Sequence, residues 1–364
     1  MACELGIFVT DMKQCVLIMI CLAGNMFAEG QTLGGSTVFN FLRLSNAPQL
    51  TALGGQNISN QSDDLGMAYH NPALLRQSMH TQANFVFNAL YGGIKSYHLQ
   101  AAYRSEALKT NFALGIVYFN YGTLDQTDAS GNISGVFQPR DYVLQISMSR
   151  QYLARWFYGA SLKYIGSQYG PYRSSGIAAD LGLAYHDTAQ KLQASIVISN
   201  IGVQLKTYAG SDPEELPFDI QLGISKRLKN APIQFSLTIN RLHRFDVTYN
   251  DSVYNNENGF GDGGSKFSFD NIFRHVVLST QFYIKDKVEL SAGYNYLRRK
   301  ELNVGSAGNG INGFSAGVGI LFKKMQLRYA RAYYQGNRSY HQLGLNLKLN
   351  ELSGLGKFGD VIGW

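Results

Sequence analysis

The chain has 364 residues, only 16% of them charged, with a formal net charge of +7, and it is rich in Gly (39), Tyr (23) and Phe (21). Few charges and many aromatic residues exclude a disordered chain. A mean hydropathy of −0.13, with no apolar run of roughly 20 residues after the N-terminal segment, excludes a helical membrane protein.

Residues 1–28 are predicted to be a secretion signal. Lys13 precedes an apolar stretch that ends in a small residue, so cleavage is expected after Ala28. Acidic residues near the beginning are unusual for such a signal, which leaves the start open between Met1 and Met12. All three cysteines lie in this segment, so the exported chain is expected to have no disulfide, thiolate metal site or cysteine nucleophile. A buried N-terminal helix or a lipoprotein modification is the alternative.

Residues 29–80, which we call the hatch, are predicted to plug the barrel that the following strands form. They lack the alternation of the rest of the chain and are too short for a separate domain. Asn71 before Pro72 indicates a helix start, with Asn as the cap and Pro at the first helical position. An extension into the periplasm is the alternative.

Residues 81–349 are predicted to form a barrel of fourteen strands. Apolar and polar residues alternate along them, as in strands with one apolar and one polar face. From residue 218 to 225, for example, Phe, Ile, Leu and Ile alternate with Asp, Gln, Gly and Ser. The segments are about ten residues long, the length of a tilted strand that crosses a bilayer. The predicted strands are 81–90, 95–104, 111–121, 141–150, 156–166, 176–186, 191–200, 217–227, 232–242, 274–285, 288–298, 313–323, 325–334 and 339–349.

The connections indicate an antiparallel outer-membrane β-barrel of a Gram-negative bacterium. Long loops alternate with short turns, as expected when the long loops face outside, and tyrosines crowd the strand ends as in an aromatic girdle. A soluble β-sandwich is the alternative, but it would expose many Lys and Glu, whereas the polar face here is mainly Ser, Gln, Asn and Gly. Residues 350–364 are predicted to be a C-terminal tail. The long connections are 122–140, 167–175, 201–216, 243–273 and 299–312.

The longest predicted loop, 243–273, is the candidate site for a partner protein. Aromatic residues and Arg are enriched in protein interfaces, and a flexible polar loop is the alternative. The candidate contact residues are Arg244, Tyr249, Tyr254, Phe260, Lys266 and Phe267.

No catalytic, cofactor-binding or metal-binding set stands out in the sequence, since the seven histidines are scattered without an i, i+4 pair. We therefore expect neither an enzyme nor a cofactor. Lys and Arg are spread over turns and strand ends, where they are expected to meet outer-membrane lipids or lipopolysaccharide rather than nucleic acid.

The hatch resembles that of the FadL/PorV-type fourteen-stranded barrels. The resemblance rests on the following elements in order: Arg43-Leu44-Ser45, Ala47, Ala52-Leu53-Gly54-Gly55, Ser62-Asp63-Asp64 and Tyr69 to Ala73. It implies that Asn71, Pro72 and Ala73 are the plug motif. Within that family, the length and the run from Gly34 to Gly55 are most similar to the PorQ group of type IX secretion barrels in Bacteroidota.

This resemblance implies a component of the type IX attachment complex that holds the surface protein PorZ near PorU and PorV. A FadL-like transporter of hydrophobic molecules is the alternative. It would need a continuous apolar pocket in the lumen, whereas the predicted inward face is Ser, Gln, Asn and Gly. A diffusion porin would need a charged constriction, and the predicted lumen ions are too few for one.

Overall fold

The computed structural model describes residues 37–245, 247, 269–301, 311–333 and 339–352. The strands in this part of the chain are β1 (Gln82–Ala89), β2 (Lys95–Ser105), β3 (Thr110–Asn120), β4 (Leu124–Thr127), β5 (Ile133–Phe137), β6 (Arg140–Tyr152), β7 (Trp156–Tyr169), β8 (Tyr172–Asp187), β9 (Leu192–Lys206), β10 (Asp219–Arg227), β11 (Ile233–Ile239), β12 (Val276–Ile284), β13 (Val288–Asn295), β14 (Phe314–Leu321), β15 (Met325–Tyr333) and β16 (Ser339–Lys348).

Fourteen of these strands close into one antiparallel barrel, which confirms the predicted architecture. Neighbouring strands in the chain pair with one another, and β1 pairs with β16 to complete the ring. The other two, β4 and β5, form a separate hairpin within the connection from β3 to β6. Closure leaves the barrel without a free sheet edge, which is the condition for a β-structure to cross a bilayer.

The two faces of the wall differ in polarity as the alternation predicted. In β1, Phe85 and Phe87 point outward and are exposed, while Asn84 and Asn88 point inward and are buried. Across the rest of the wall the outward residues are again large and apolar, and the inward residues are mainly Ser, Gln and Asn. So large an exposed apolar surface is stable against lipid and not against water. The protein is therefore an outer-membrane barrel.

Some boundaries differ from the sequence-based prediction. The predicted loop 167–175 is a tight turn, because β7 continues to Tyr169 and β8 begins at Tyr172, with Gly170 at φ 59° between them. β9 likewise continues to Lys206. These extensions reach beyond the bilayer, where both faces of a strand meet water and the alternation that identifies a strand is lost.

Several short helices were also not predicted. Phe269–Arg274 and Tyr296–Glu301 lie in outer connections, so the strand predicted over 288–298 ends earlier, at Asn295. Leu349–Leu352 follows β16. None of the helices in the described ranges has the length and hydropathy to cross a membrane.

The described part of the hatch, residues 37–80, lies inside the barrel. Its helix Pro48–Ala52 contacts β13, β14, β15 and β16, and the 3-10 turn Pro72–Leu74 contacts β6, β7 and β8 on the other side. The hatch also contains Asn40–Arg43, Leu65–His70 and Gln77–Met79. Most of its residues are buried. The hatch therefore spans the lumen from wall to wall.

Candidate functional site

The plug motif attaches the hatch to β7 and β8. Asn71 caps a 3-10 turn: its Oδ1 accepts a hydrogen bond from the Ala73 N–H at 3.0 Å, and its Nδ2 donates to the Ile58 carbonyl at 2.7 Å. The predicted cap is correct, although the turn is 3-10 and not α-helical. Asn71, Pro72 and Ala73 are all buried. The motif is thus a structural attachment of the plug.

Glycines in the wall make room for this attachment. A Cβ at Gly159 in β7 would lie 2.5 Å from the carbonyl carbon of Pro72, and one at Gly182 in β8 would meet Asn71 Oδ1. On the opposite side, a Cβ at Gly293 in β13 would meet the backbone of Gly54. The hatch backbone therefore approaches the wall at positions where the wall has no side chain.

A buried ion cluster holds the hatch on the side of β13 and β15. Arg328 of β15 lies 3.3 Å (Nη1 to Oδ2) from Asp64 of the hatch and 3.6 Å (Nη2 to Oε2) from Glu289 of β13. Asp64 Oδ1 also accepts from the Asn346 amide at 2.7 Å, and Glu289 Oε1 accepts from the Gln49 amide of the hatch at 3.0 Å. The side chain of Arg328 is 4% exposed. A charge that is buried so deeply is stable only with an opposite charge beside it.

A second ion pair reinforces the wall at an irregularity between β8 and β9. The register shifts there, and Asn200 adopts φ 58°. Asp180 Oδ1 accepts from the Asn200 N–H at 2.8 Å, and Asp180 Oδ2 lies 2.6 Å from Lys163 Nζ. Lys163, Asp180 and Arg43 line a cavity of about 50 Å³ between the hatch and the wall.

Tyrosines and a carboxylate lie at the outer end of the lumen. Asp141 accepts hydrogen bonds from Tyr121 at 2.5 Å and from Tyr169 at 3.4 Å, and it contacts Ser167. Tyr208 donates to Ser167 at 2.6 Å. These side chains lie at or just beyond the extracellular ends of the strands.

The beginning of the described hatch reaches the same end. The Val38 N–H donates to the Glu215 carbonyl at 3.0 Å, in the connection between β9 and β10. Phe41 packs on Phe39 and on Phe119 of the wall, with ring centroids 6.1 Å and 5.3 Å apart. The outer half of the lumen is therefore filled by aromatic side chains of hatch and wall.

Of the predicted partner-contact residues, the structure describes Arg244, whose backbone N–H closes a turn onto the Arg241 carbonyl at 3.0 Å. Tyr249, Tyr254, Phe260, Lys266 and Phe267 lie outside the described residues, as does the predicted cleavage site Ala28.

Sequence reasoning missed an exposed apolar group at the C-terminal end of this predicted loop. Phe269 is 74% exposed and Phe273 is 54% exposed, both on the helix Phe269–Arg274. Their spacing of four residues was the available signal.

Asp270 ties this helix to the next outer helix, Tyr296–Glu301. Its carboxylate accepts from the Tyr296 hydroxyl at 2.5 Å and from Arg274 Nε at 2.8 Å, and it lies 3.2 Å from Lys300 Nζ. The hydrogen bond from Tyr296, with those from Arg274 and Lys300, lowers the pKa of Asp270 to about 2. Among the described residues no cluster of His, Cys, Asp or Glu is placed to hold a metal ion.

No protein-family model and no curated protein matches the chain. Solved structures of channels are similar. The TodX monoaromatic hydrocarbon channel deltaS2 mutant is 14% identical, with 83% of this chain and 98% of that chain covered and a TM-score of 0.49. The CymD monoaromatic hydrocarbon channel is 15% identical, with 85% and 97% covered and a TM-score of 0.48. A FadL homologue from Pseudomonas aeruginosa is 9% identical, with 83% and 98% covered and a TM-score of 0.49.

Proposed function

We propose that this outer-membrane barrel is a sealed, non-enzymatic anchor of the type IX attachment complex, in the role of PorQ, and that its outer surface holds a PorZ-like protein near PorU and PorV. The observation that carries the anchoring role is the fixed plug. The names of the complex and its partners rest on the resemblance of the hatch sequence alone.

The hatch is attached on opposite sides of the lumen by different interactions. On one side Arg328 forms ion pairs with both Asp64 and Glu289, and removing one member of such a buried set costs about 3–5 kcal/mol. On the other side the backbone of Pro72 packs on Gly159 of β7, and Asn71 and Ala73 pack on Gly182 of β8. Moving the hatch would break both attachments at once, which favours a permanent plug over a gate.

The lumen spaces that the described residues enclose do not suit a hydrophobic solute. The cavity beside Lys163 and Asp180 measures about 50 Å³. A larger one at the periplasmic end, about 410 Å³, is lined by charged groups that include Arg76, Asp286 and Arg328. The lining of both cavities is more polar than apolar.

The outer surface, in contrast, offers apolar groups to a protein partner. Phe269 and Phe273 are exposed at the C-terminal end of the longest predicted outer loop, and Ile133 and Val136 are 65% and 64% exposed on the hairpin of β4 and β5. These groups lie on outer connections, beyond the strands that face lipid. Exposed aromatic and apolar patches of this kind are typical of interaction sites.

A second candidate function is transport of hydrophobic molecules. It is favoured by the apolar cluster in the outer half of the lumen, where Phe39 and Phe119 pack with Val117, Val143 and Ile165. Transport of such compounds is also what the names of the TodX and CymD channels state of those proteins. In this case Phe39 and Phe41 would have to leave their places to admit a solute.

One pair of measurements separates the two functions. For the anchor, we expect a surface protein to co-purify with the barrel from outer membranes, and the double change Phe269→Ser with Phe273→Ser to reduce its recovery. The change Ile133→Ser with Val136→Ser, at the other exposed apolar group, shows whether the partner is held at this helix alone or at both groups. For the transporter, the reconstituted barrel would take up toluene or a fatty acid, and Phe119→Ala would change the rate. Saturable uptake without any retained surface protein would refute the anchor.

A further inference from the structure

An oblique trough crosses the outer, lipid-facing surface of the barrel between β10 and β14. It has a volume of about 510 Å³ and is lined almost entirely by apolar atoms. This trough lies outside the lumen and is separate from the plug and from the outer loops.

The strand register explains why the surface is concave here. Phe235, Thr280 and Ala292 are successive partners across β11, β12 and β13, so the small Thr280 and Ala292 form the floor of one row. The adjacent row contains Leu278, Tyr294 and Phe314, which are bulky and form a wall. A row of small residues beside a row of large ones forms a trough about one residue wide.

The trough has a basic end on the periplasmic side. Lys226 pairs with Phe235 and is the last residue but one of β10, next to a short turn, and short turns face the periplasm in such barrels. Phe314, in contrast, begins β14 at the extracellular side. Four strand spacings separate β10 from β14, or about 19 Å across the strands at about 4.8 Å each.

The charge at this end points to a phosphate group. Lys226 Nζ donates to the Gln190 carbonyl at 2.5 Å and has no carboxylate partner among the described residues. Lys229, on the adjacent turn, is exposed. A lysine near an anionic lipid surface contributes about 1 kcal/mol to the free energy of lipid binding.

We propose that the trough binds one anionic phospholipid of the periplasmic leaflet, with an acyl chain on Thr280 and Ala292 and the phosphate at Lys226. The narrow concave shape fits a single chain better than a protein surface. Lipopolysaccharide would place its phosphates at the opposite, Phe314 end, where none of the described residues that line the trough is a lysine.

Native mass spectrometry of the barrel, reconstituted in vesicles of phosphatidylglycerol and phosphatidylethanolamine, tests this proposal. We expect one retained phosphatidylglycerol per barrel. Ala292→Phe, which fills the trough, should abolish its retention. Lys226→Gln should reduce the preference for phosphatidylglycerol about fivefold, the equivalent of about 1 kcal/mol.

Matched controls are Ala101→Phe, an exposed outward alanine of β2, and Lys324→Gln, an exposed lysine of another periplasmic turn. Both should retain lipid like the wild type, and the heat-dependent shift on a gel verifies that each variant is folded. Undiminished retention in Ala292→Phe, equal loss in Ala101→Phe, or lipopolysaccharide as the retained lipid would overturn the proposal. A photo-reactive amino acid in place of Phe235 that crosslinks to a protein would also overturn it.

Discussion

Replacing Arg328 by Met tests whether the buried ion cluster holds the hatch in place. The change removes the only cation within 4 Å of Asp64 and Glu289 among the described residues. It leaves two carboxylates in the lumen that retain hydrogen bonds from Asn346 and Gln49 but no counter-charge. The barrel strands themselves keep all their backbone pairing.

The expected cost is about 3 kcal/mol, at the lower end of the range for breaking a buried pair, because water can enter from the adjacent periplasmic cavity. At about 1.4 kcal/mol per factor of ten, the open state of the hatch should become about a hundred times more populated. In planar bilayers the wild type should therefore conduct little, and Arg328→Met should show frequent openings. Its hatch should also become sensitive to protease, while the barrel stays resistant to heat in detergent.

Arg331→Met is the control, since Arg331 lies in the same strand but points outward and packs over Tyr333. It should conduct like the wild type. A double-mutant cycle between Arg328→Met and Asp64→Asn should give a coupling free energy above about 1 kcal/mol, because the two groups share one contact. If Arg328→Met neither opens the lumen nor exposes the hatch to protease, the cluster does not hold the plug and the reasoning fails.

Three further predictions concern the other contacts. Gly293→Leu should displace the hatch, because its side chain would occupy the position of the Gly54 backbone; protease sensitivity measures this, and Gly135→Leu in the open β4–β5 hairpin should have no effect. Asn71→Ala should destabilise the attached hatch by about 1–2 kcal/mol, since the cap of the 3-10 turn is lost, and so lower the urea concentration at which the hatch is released; an unchanged midpoint would contradict the attachment. The pKa of Asp270 is lowered to about 2. Its contribution to the stability of the two outer helices should therefore be complete above the unfolded pKa of about 3.9 and lost as pH falls through about 2. Hydrogen exchange of Phe269–Arg274 between pH 5 and 2 follows this loss, and in Asp270→Asn the transition should be absent.

The barrel could be predicted from the sequence because lipid and lumen impose opposite polarity on alternate residues. Phe85 and Phe87 against Asn84 and Asn88 are one example. The same rule explains its failure at Tyr169 and Tyr172, where the strands extend beyond the bilayer and no such difference is imposed. The ends of a strand in water depend on hydrogen bonding to its neighbour, which a pattern of polarity does not report.

The attachments of the hatch could not be predicted in the same way. Asn71 and Pro72 were recognisable because a cap and its turn are adjacent in the chain. Asp64 and Arg328, in contrast, are far apart in sequence, and their contact exists only after the barrel has closed. The alternation places Arg328 on the inward face among uncharged residues, which indicates that it pairs with a carboxylate. The alternation alone does not identify that carboxylate.

The wall irregularity at Asn200 bears on whether a sealed lumen is compatible with the alternative of transport. A register shift leaves backbone groups of β8 and β9 without their usual partners, so this is where a barrel wall would part most easily. Here Asp180 accepts from the freed Asn200 N–H and is itself neutralised by Lys163, which also hydrogen-bonds the Asn200 side chain at 3.0 Å. The irregularity is thus closed by a charge-assisted network that is 6% exposed or less at both ions. A wall held in this way behind a plug fixed on two sides favours a barrel that presents its outer surface over one that admits a solute.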